Sequence, residues 1–526
     1  MPHPFLSLGF NSWSQKFSRG NIPAAVAAFL QYVTTGSTSS FTLRSTGTVD
    51  YEVDWGDGST ESLTTNAPTH TYSSAGEYTI KVTPAEGSTY RPYFNNAVSD
   101  TSIASVSGTG GSQLGTDLSD AWEGASNMTS FSSNIDTSSV DTFNNAWSNC
   151  PSLTSFPLID TSSGVYFIGT WLNASSLTSF PAIDTSSATY FSSTWTNCTG
   201  LTSFPLIDTS SVTTFFNAWS GCSSLTSFPL IDTSSSTSFG STWKGCSSLT
   251  LFPLINTSIG TNFSNTWNGC SSLTSFPLIN TSSGTSFSSG WYGCSSLTSF
   301  PLIDTSSGTN FSSTWRNCSS LTSFPLIDTS SGIYFADTWR SCSSLTSFPL
   351  IDTSIGTNFN STWNGCSSLT SFPLINTSSG TGFNNTWRNC SSLTSFPLIN
   401  TSSGNSFAFA WVNASSLTSF PSCDFSSATS FTFAWSGCSS LTTFPANMFD
   451  TTGTLSSNAF GQAWTNCALT AQSIENILVS LDTNGTSNID LNISGGTNAA
   501  KTTWSAAANT AYNNLITKGW TIAHNA

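Results

Sequence analysis

Tryptophan recurs every 24 residues from Trp147 to Trp435 without a slip, and nearly every other residue recurs with it. A representative unit, Ser319 to Cys342, reads SSLTSFPLIDTSSGIYFADTWRSC. A fixed period of this length marks a solenoid, in which each turn of chain is one unit stacked on the last. One such coil holds too few large apolar side chains to offset the entropy of ordering its backbone. Stacking must supply the deficit, so cooperativity runs along the axis.

Within a unit, Leu321, Phe324 and Leu326 form the pattern L-x-x-F-x-L, read as a parallel strand with those three side chains inward. Phe311, Trp315 and Cys318 fall at i, i+4 and i+7, which predicts one or two helical turns on the opposite wall. Asp328 to Gly332 carries turn chemistry, an Asx side chain to accept backbone N–H groups and a glycine. Strands spaced about 4.8 Å apart would stack these coils into a rod.

Comparison between units separates fixed positions from free ones. The Trp, the Leu, the Phe before Pro and the Thr two before that Phe hardly change. The residue after Trp varies freely, including Lys244, Tyr292, Arg316, Arg340 and Arg388, and is expected to face solvent. The site before the second Phe is also free and carries Tyr166, Tyr190 and Tyr334. These two stripes form the candidate binding surface, because stacking does not dictate them. A tolerant Ser/Thr surface is the plain alternative.

Twelve of the 13 cysteines sit three residues after the repeat Trp, where Ala125, Ala174 and Ala414 stand in other coils. A site that accepts Ala is a small buried site, so these cysteines are read as core, not as disulfides or metal ligands. Cys423 occupies the place that Ile399 and Ile375 hold, again as a hydrophobe. Asp160, Asp184, Asp208 and Asp232 form a carboxylate file that passes to Asn256 and Asn280 and back to Asp304. Alternation with Asn relieves repulsion while keeping the turn, and cation binding is the competing reading.

The flanks differ. Residues 1–28 read as an arm whose Phe5, Phe10, Trp13 and Phe17 suit docking to another protein. The run IPAAVAAFLQYV, residues 22–33, has the length of a signal core, but a long, weakly basic segment precedes it, and it is not read as a cleaved leader. Residues 29–86 alternate as short strands around Gly56-Asp57-Gly58. Residues 87–121 form a Gly/Ser/Thr-rich transition, 122–468 the solenoid, and 469–526 a segment of two helices and two short strands read as a C-terminal cap.

Two resemblances attach to these residues. Trp55-Gly56-Asp57-Gly58, His70-x-Tyr72 and Gly76-x-Tyr78-Thr79 resemble the polycystic-kidney-disease (PKD) type β-sandwich, an immunoglobulin-like spacer of surface and virion proteins. Within it Asp54 and Asp57 are weak Ca²⁺ candidates beside the reading that they order the turn. The frame Gly293-Cys294-Ser295-Ser296-Leu297-Thr298-Ser299-Phe300 with Asp304-Thr305-Ser306 resembles the BspA-like leucine-rich repeats of bacterial surface proteins. The two together, with the ending Leu515-x-x-Lys518-Gly519-Trp520-x-Ile522, resemble proteins of marine bacteriophages. The fold class so expected is mainly β with short helical turns. It is a right-handed leucine-rich-repeat-like solenoid of 24-residue coils, preceded by an Ig/PKD-like β-sandwich and closed by an α+β cap.

Only 7% of residues are charged and the net charge is −15, with no Lys or Arg between Arg91 and Lys244, so nucleic acid is not an expected partner. No run of 18 apolar residues suggests a membrane span. Three histidines, His3, His70 and His524, all outside the repeats, do not supply a nucleophile–base set, and no enzyme, cofactor or metal centre is expected. The chain is therefore read as a non-enzymatic fibre or appendage protein of a phage virion. Its partners would be other virion or surface-assembly proteins through the arm, and a cell-surface glycan or protein, with homo-oligomerisation left open. A secreted bacterial adhesin is the alternative. A third reading, an ice- or polysaccharide-binding solenoid, rests on the Thr154, Thr178, Thr202 file.

Overall fold

The computed structural model describes residues 29–94, 102–109 and 114–526. The arm read over residues 1–28 lies outside the described residues. The C-terminal half of the apolar run at 22–33 enters strand β1 (Phe29–Thr34).

After β1 come β2 (Thr38–Thr42), β3 (Ser45–Thr46), β4 (Tyr51–Asp54), β5 (Thr60–Leu63), β6 (Thr69–Gly76), β7 (Thr79–Pro84), β8 (Arg91–Pro92), β9 (Ile103–Thr109) and β10 (Ser130–Phe131). Alternation in β4 and β7 buries Tyr51, Val53, Ile80 and Val82, the period-2 pattern of a half-buried strand. The main sheet runs β10-β9-β1-β7-β4-β5, with β2–β6 and β3–β8 as two smaller pairs. Two of these strands come from the stretch read as a transition. β8 pairs with β3, and β9 pairs antiparallel with β1 along its length. β9 also pairs in parallel with β10, whose Phe131 ring stacks on Phe156 at 5.9 Å and so begins the file of Phe rings in the coils.

In the coils, the wall expected to be helical is built from two successive tight turns overlapped by a third. Thr314, Arg316 and Cys318 donate their amides to the carbonyls of Phe311, Ser313 and Trp315. Ser313 and Asn317 have φ of 58° and 63°, which no α-helix tolerates. Short polar residues, mostly Asn and Ser, fill these two left-handed sites in most coils. The intervening amides point along the axis: Phe311, Ser313, Trp315 and Asn317 donate to Tyr334, Ala336, Thr338 and Arg340 one coil on, at 2.8–2.9 Å. The i, i+4, i+7 spacing found the buried face correctly but assigned it the wrong backbone.

The parallel β-bridges also lie elsewhere than expected. They run through the residue before the second Phe, from Tyr166 to Tyr190 and onward through Asn310, Tyr334 and Asn358, and the Leu-to-Leu segment carries one only between Ser419 and Thr443. In that segment the core side chains are Leu321, Phe324 and Ile327, while Leu326 is 61% exposed. Pro325 has no N–H, and Ile327 donates its amide back to the Pro325 carbonyl at 3.0 Å. This three-residue turn has Leu326 at its apex and throws its side chain outward. The L-x-x-F-x-L reading is thus corrected to L-x-x-F-x-x-I.

The core is a set of aromatic files. Successive Trp rings stack at 5.0–5.9 Å, and each lies edge-on to the Phe that follows it in the chain, as Trp315 does to Phe324 at 4.8 Å. The Trp315 indole N–H is buried without a nitrogen or oxygen acceptor, as are those of its counterparts, so its surroundings are these rings. Buried hydroxyls are satisfied along the axis: Thr314 donates to the Phe287 carbonyl one coil back, and Thr329 to the Asp352 carbonyl one coil on. Phe rings on the bridged side repeat at about the same step as Phe287 to Phe311, 5.6 Å, whereas Phe300 to Phe324 across the core measures 6.0 Å and Phe348 to Phe372 6.2 Å.

Helix α1 (Ala471–Asn484) is N-capped by Thr470 and buries Ile474, Ile477, Leu478 and Leu481, the expected face. The second helix is α2 (Ala506–Thr517), which starts only after Lys501–Thr503 form a 3-10 turn, and Ser505 caps it. Strands β11 (Asp490–Asn492) and β12 (Thr521–Ala523) pair in parallel, and Leu491 bridges Phe460 of the last coil. Ser473 and Ser480 of α1 accept the amides of Phe444 and Phe449. Among the described residues no helix is long and apolar enough to cross a membrane.

Candidate binding surfaces

The tyrosine stripe lies on the bridged wall. Tyr166 and Tyr190 are exposed and their rings run parallel, 5.2 Å apart. Thr142 and Thr214 flank the pair in the same file, so its two outer ring faces adjoin short side chains. Ile168 and Phe216, both exposed, occupy the next outward-facing file and extend the apolar surface around the pair. Tyr334 is 49% exposed but stands seven coils from Tyr166, between Asn310 and Asn358. The structure therefore brings two of the three tyrosines together and leaves the third apart.

The residues after Trp do not form the open stripe that their variability suggested. Lys244 is exposed, but Tyr292, Arg316, Arg340 and Arg388 are half-buried, and Ser148 and Val412 are buried. Their partners explain this. The Arg316 guanidinium lies over the Tyr292 ring at 5.5 Å, and Arg316 and Arg340 converge on the Asp337 carboxylate at 3.8 and 3.0 Å. Tyr292, Arg316, Asp337 and Arg340 thus form one cluster across three adjacent coils. Arg388 lies over Phe409 at 5.6 Å and donates to the Asn385 side chain. A long aliphatic stem laid along the wall with its charge tied to a neighbour reads as coil-to-coil stapling.

The Asp/Asn file is turn chemistry in each coil. Asp304 Oδ1 accepts the Ser306 amide and hydroxyl, and Asn280 Oδ1 accepts the same pair from Ser282. The Ser330 hydroxyl and amide hold the Asp328 carboxyl below its usual range. The Thr file is likewise engaged along the axis, with the Thr322 hydroxyl donating to the Thr298 carbonyl at 3.3 Å. All thirteen cysteines are buried free thiols, and burial pushes the Cys318 thiol up to about 12.

The largest apolar surface is one that the sequence reading placed in the core. Nine leucines in consecutive coils, from Leu206 to Leu398, and Leu158 two coils earlier are each about 60% exposed. Their signal was present in the chain. Ser422 and Ala182 stand in this file, whereas the Ile file beside it accepts only Cys423. Of two adjacent apolar residues, the one that tolerates Ser is the one outside.

At the other end, Trp55 is buried and stacks on His70 at 4.9 Å, while Tyr72 donates to the Trp55 carbonyl and stacks on Tyr78. Gly56 has φ of 81°, and a Cβ there would stand 2.5 Å from the Thr79 carbonyl oxygen. Only glycine lets the β4–β5 turn approach β7 so closely. Asp57 accepts from the Ser59 amide and hydroxyl and pairs with His70 at 2.7 Å, and these partners lower its carboxyl to about 2. Asp54 accepts the Gly56 amide. Both carboxylates, weak Ca²⁺ candidates in the sequence, therefore serve the turn.

Residues 24–87 match the family model of the PKD domain. The N-terminal sandwich is a PKD domain. No curated protein matches the chain. Its main sheet recruits β9, from beyond the matched residues, and through it β10, so the PKD domain and the first coils share one sheet and one hydrophobic core.

Proposed function

We propose that the chain is a non-enzymatic structural or adhesive protein working outside the cell, in which the PKD domain and the coils act as one stiff body. The observation that carries this reading is the strand path β1–β9–β10, which joins the domain to the stack by backbone hydrogen bonds in place of a flexible linker. PKD domains are common extracellular adhesion and structural modules, and such a joint transmits force without a hinge. His70 is committed to Asp57 and Trp55, and His524 packs on Trp504 and Tyr512, which is structural use of both.

The finer reading is a fibre or appendage of a phage virion, anchored through residues 1–28 and displaying the coils, with the α+β segment closing the last coil. It is supported by the repeat frame and the chain ending together. Receptor contact is assigned to the Tyr166–Tyr190 pair and its neighbours Ile168 and Phe216, an apolar aromatic surface suited to a sugar or protein side chain. Mass spectrometry of purified particles tests the virion placement, and absence of the chain from them would remove it. A glycan array probed with the full chain and with Y166S/Y190S tests the contact: binding lost in the double variant supports it, and binding unchanged moves the site elsewhere.

A further inference from the structure

The Leu206–Leu398 ladder is not used by the reading above. Each leucine from Leu230 to Leu398 is held outward at the apex of its turn, and the Phe rings of the same wall repeat at 5.7–6.4 Å, close enough for neighbouring leucines to form one continuous strip. With about 100 Å² offered per leucine, the nine present roughly 900 Å² of apolar surface, more than the roughly 300–600 Å² patch that a monomer usually tolerates. We propose that this strip is the interface between two copies of the chain, packed side by side and parallel, ladder against ladder.

Three observations select a second copy in this orientation. The first is area. Two full ladders would bury about 1,800 Å², within the range of a specific interface. The second is phase. A partner related by a two-fold axis along the stack places every leucine opposite its own counterpart, at the same level, whatever the step between coils. The third is register along the ladder. The parallel pair also sets Leu158 against its own counterpart, whereas an antiparallel pair centred on Leu302, the middle of the consecutive run, sets it against Ala446.

The test uses the full chain. Sedimentation velocity from about 1 to 50 µM should show a species of twice the 55.5 kDa chain mass, with dissociation on the order of micromolar. The variant L278D/L302D/L326D, altered only at exposed apices, should weaken association more than about 100-fold while keeping its circular dichroism and thermal midpoint. Separately, L158C oxidised with a mild disulfide catalyst should cross-link to itself, because only a parallel pair sets that position opposite its counterpart. A wild-type chain that stays monomeric across the range, including one that adsorbs to apolar or crystalline carbohydrate surfaces as a monomer, overturns the proposal. So does a dimer unaffected by the three aspartates. Cross-linking of L302C without L158C overturns the parallel arrangement.

Discussion

The Cys318 thiol donates to the carbonyl oxygen of Trp291, 3.2 Å away in the preceding coil. Cys342 does the same to Trp315, and the pattern follows the cysteine file along the stack. The thiol is a weak donor in a site the size of a methyl group, which is why alanine can replace it in three coils. Burial raises these thiols far above their ordinary range, Cys318 and Cys366 to about 12. Native protein at pH 8 should therefore give no reaction with Ellman's reagent, and the guanidinium-unfolded chain should give all thirteen thiols. Cys318→Ala should cost only about 1 kcal/mol in urea unfolding.

Leu326 and Ile327 are adjacent, yet one is exposed and the other is 2% exposed. Leu326→Ser should change unfolding free energy by no more than about 0.5 kcal/mol in the dissociated chain. Ile327→Ser should cost about 3 kcal/mol or more, from lost apolar contact and an unsatisfied hydroxyl. Equal costs would restore the strand reading in which Leu326 points inward. Chemical denaturation of the two variants at low concentration decides it.

Gly332 sits over Phe335: a Cβ would meet the ring's Cζ at 2.4 Å and the Thr329 carbonyl oxygen at 2.9 Å. The chain contains its own substitution at this position. Beside Ala188, Phe191 is turned to 80° against Phe167, whereas beside Ala428 the Phe431 ring stays at 8° to Phe407, so the wall accepts a Cβ with the ring in either setting. Gly332→Ala should therefore cost about 1–2 kcal/mol and not unfold the stack. A crystal structure of the variant shows the ring, and thermal unfolding gives the cost.

Asp57 carries the acid sensitivity of the PKD domain. Its carboxyl, ordinarily near 3.8, is lowered to about 2 by Ser59 and His70. A depressed carboxylate stabilises the fold above its unfolded value and loses that contribution as pH falls through the folded one. The domain should thus lose stability between about pH 4 and pH 2, and Asp57→Asn should flatten the change in that window. Trp55, buried against His70, reports it by fluorescence in a variant whose repeat tryptophans are spectrally subtracted by the D57N control.

Removing one whole unit, Ser319 to Cys342, joins two carbonyl–amide partners that already match, since each axial bond spans one repeat. That deletion should fold with a thermal midpoint within a few degrees of the parent. Removing only three residues of the same unit shifts every axial partner and should abolish cooperative unfolding by circular dichroism.

The chain by itself determined the stack, because a 24-residue period with recurring Trp, Phe and Leu and a small Cys or Ala leaves only repeated burial as an outcome. The turn glycines and the Trp55-Gly56-Asp57-Gly58 hallmark determined the PKD domain in the same way. Periodicity reports which residues recur on one side, but not the backbone that presents them. Helix spacing at Phe311, Trp315 and Cys318 is met equally by two tight turns with left-handed Ser313 and Asn317, and only the axial hydrogen bonds to the next coil select the second. The same limit applies at Leu326 and Ile327, where two apolar neighbours compete for one inward place. The turn at Pro325 decided between them. Variability misled at Arg316 and Arg340, because a position free of stacking constraint can still be tied down by Asp337 from a neighbouring coil. Long-range pairing of that kind, like the β9 strand that binds the PKD domain to the first coil, depends on which segments tertiary contact brings together, and no local pattern encodes it.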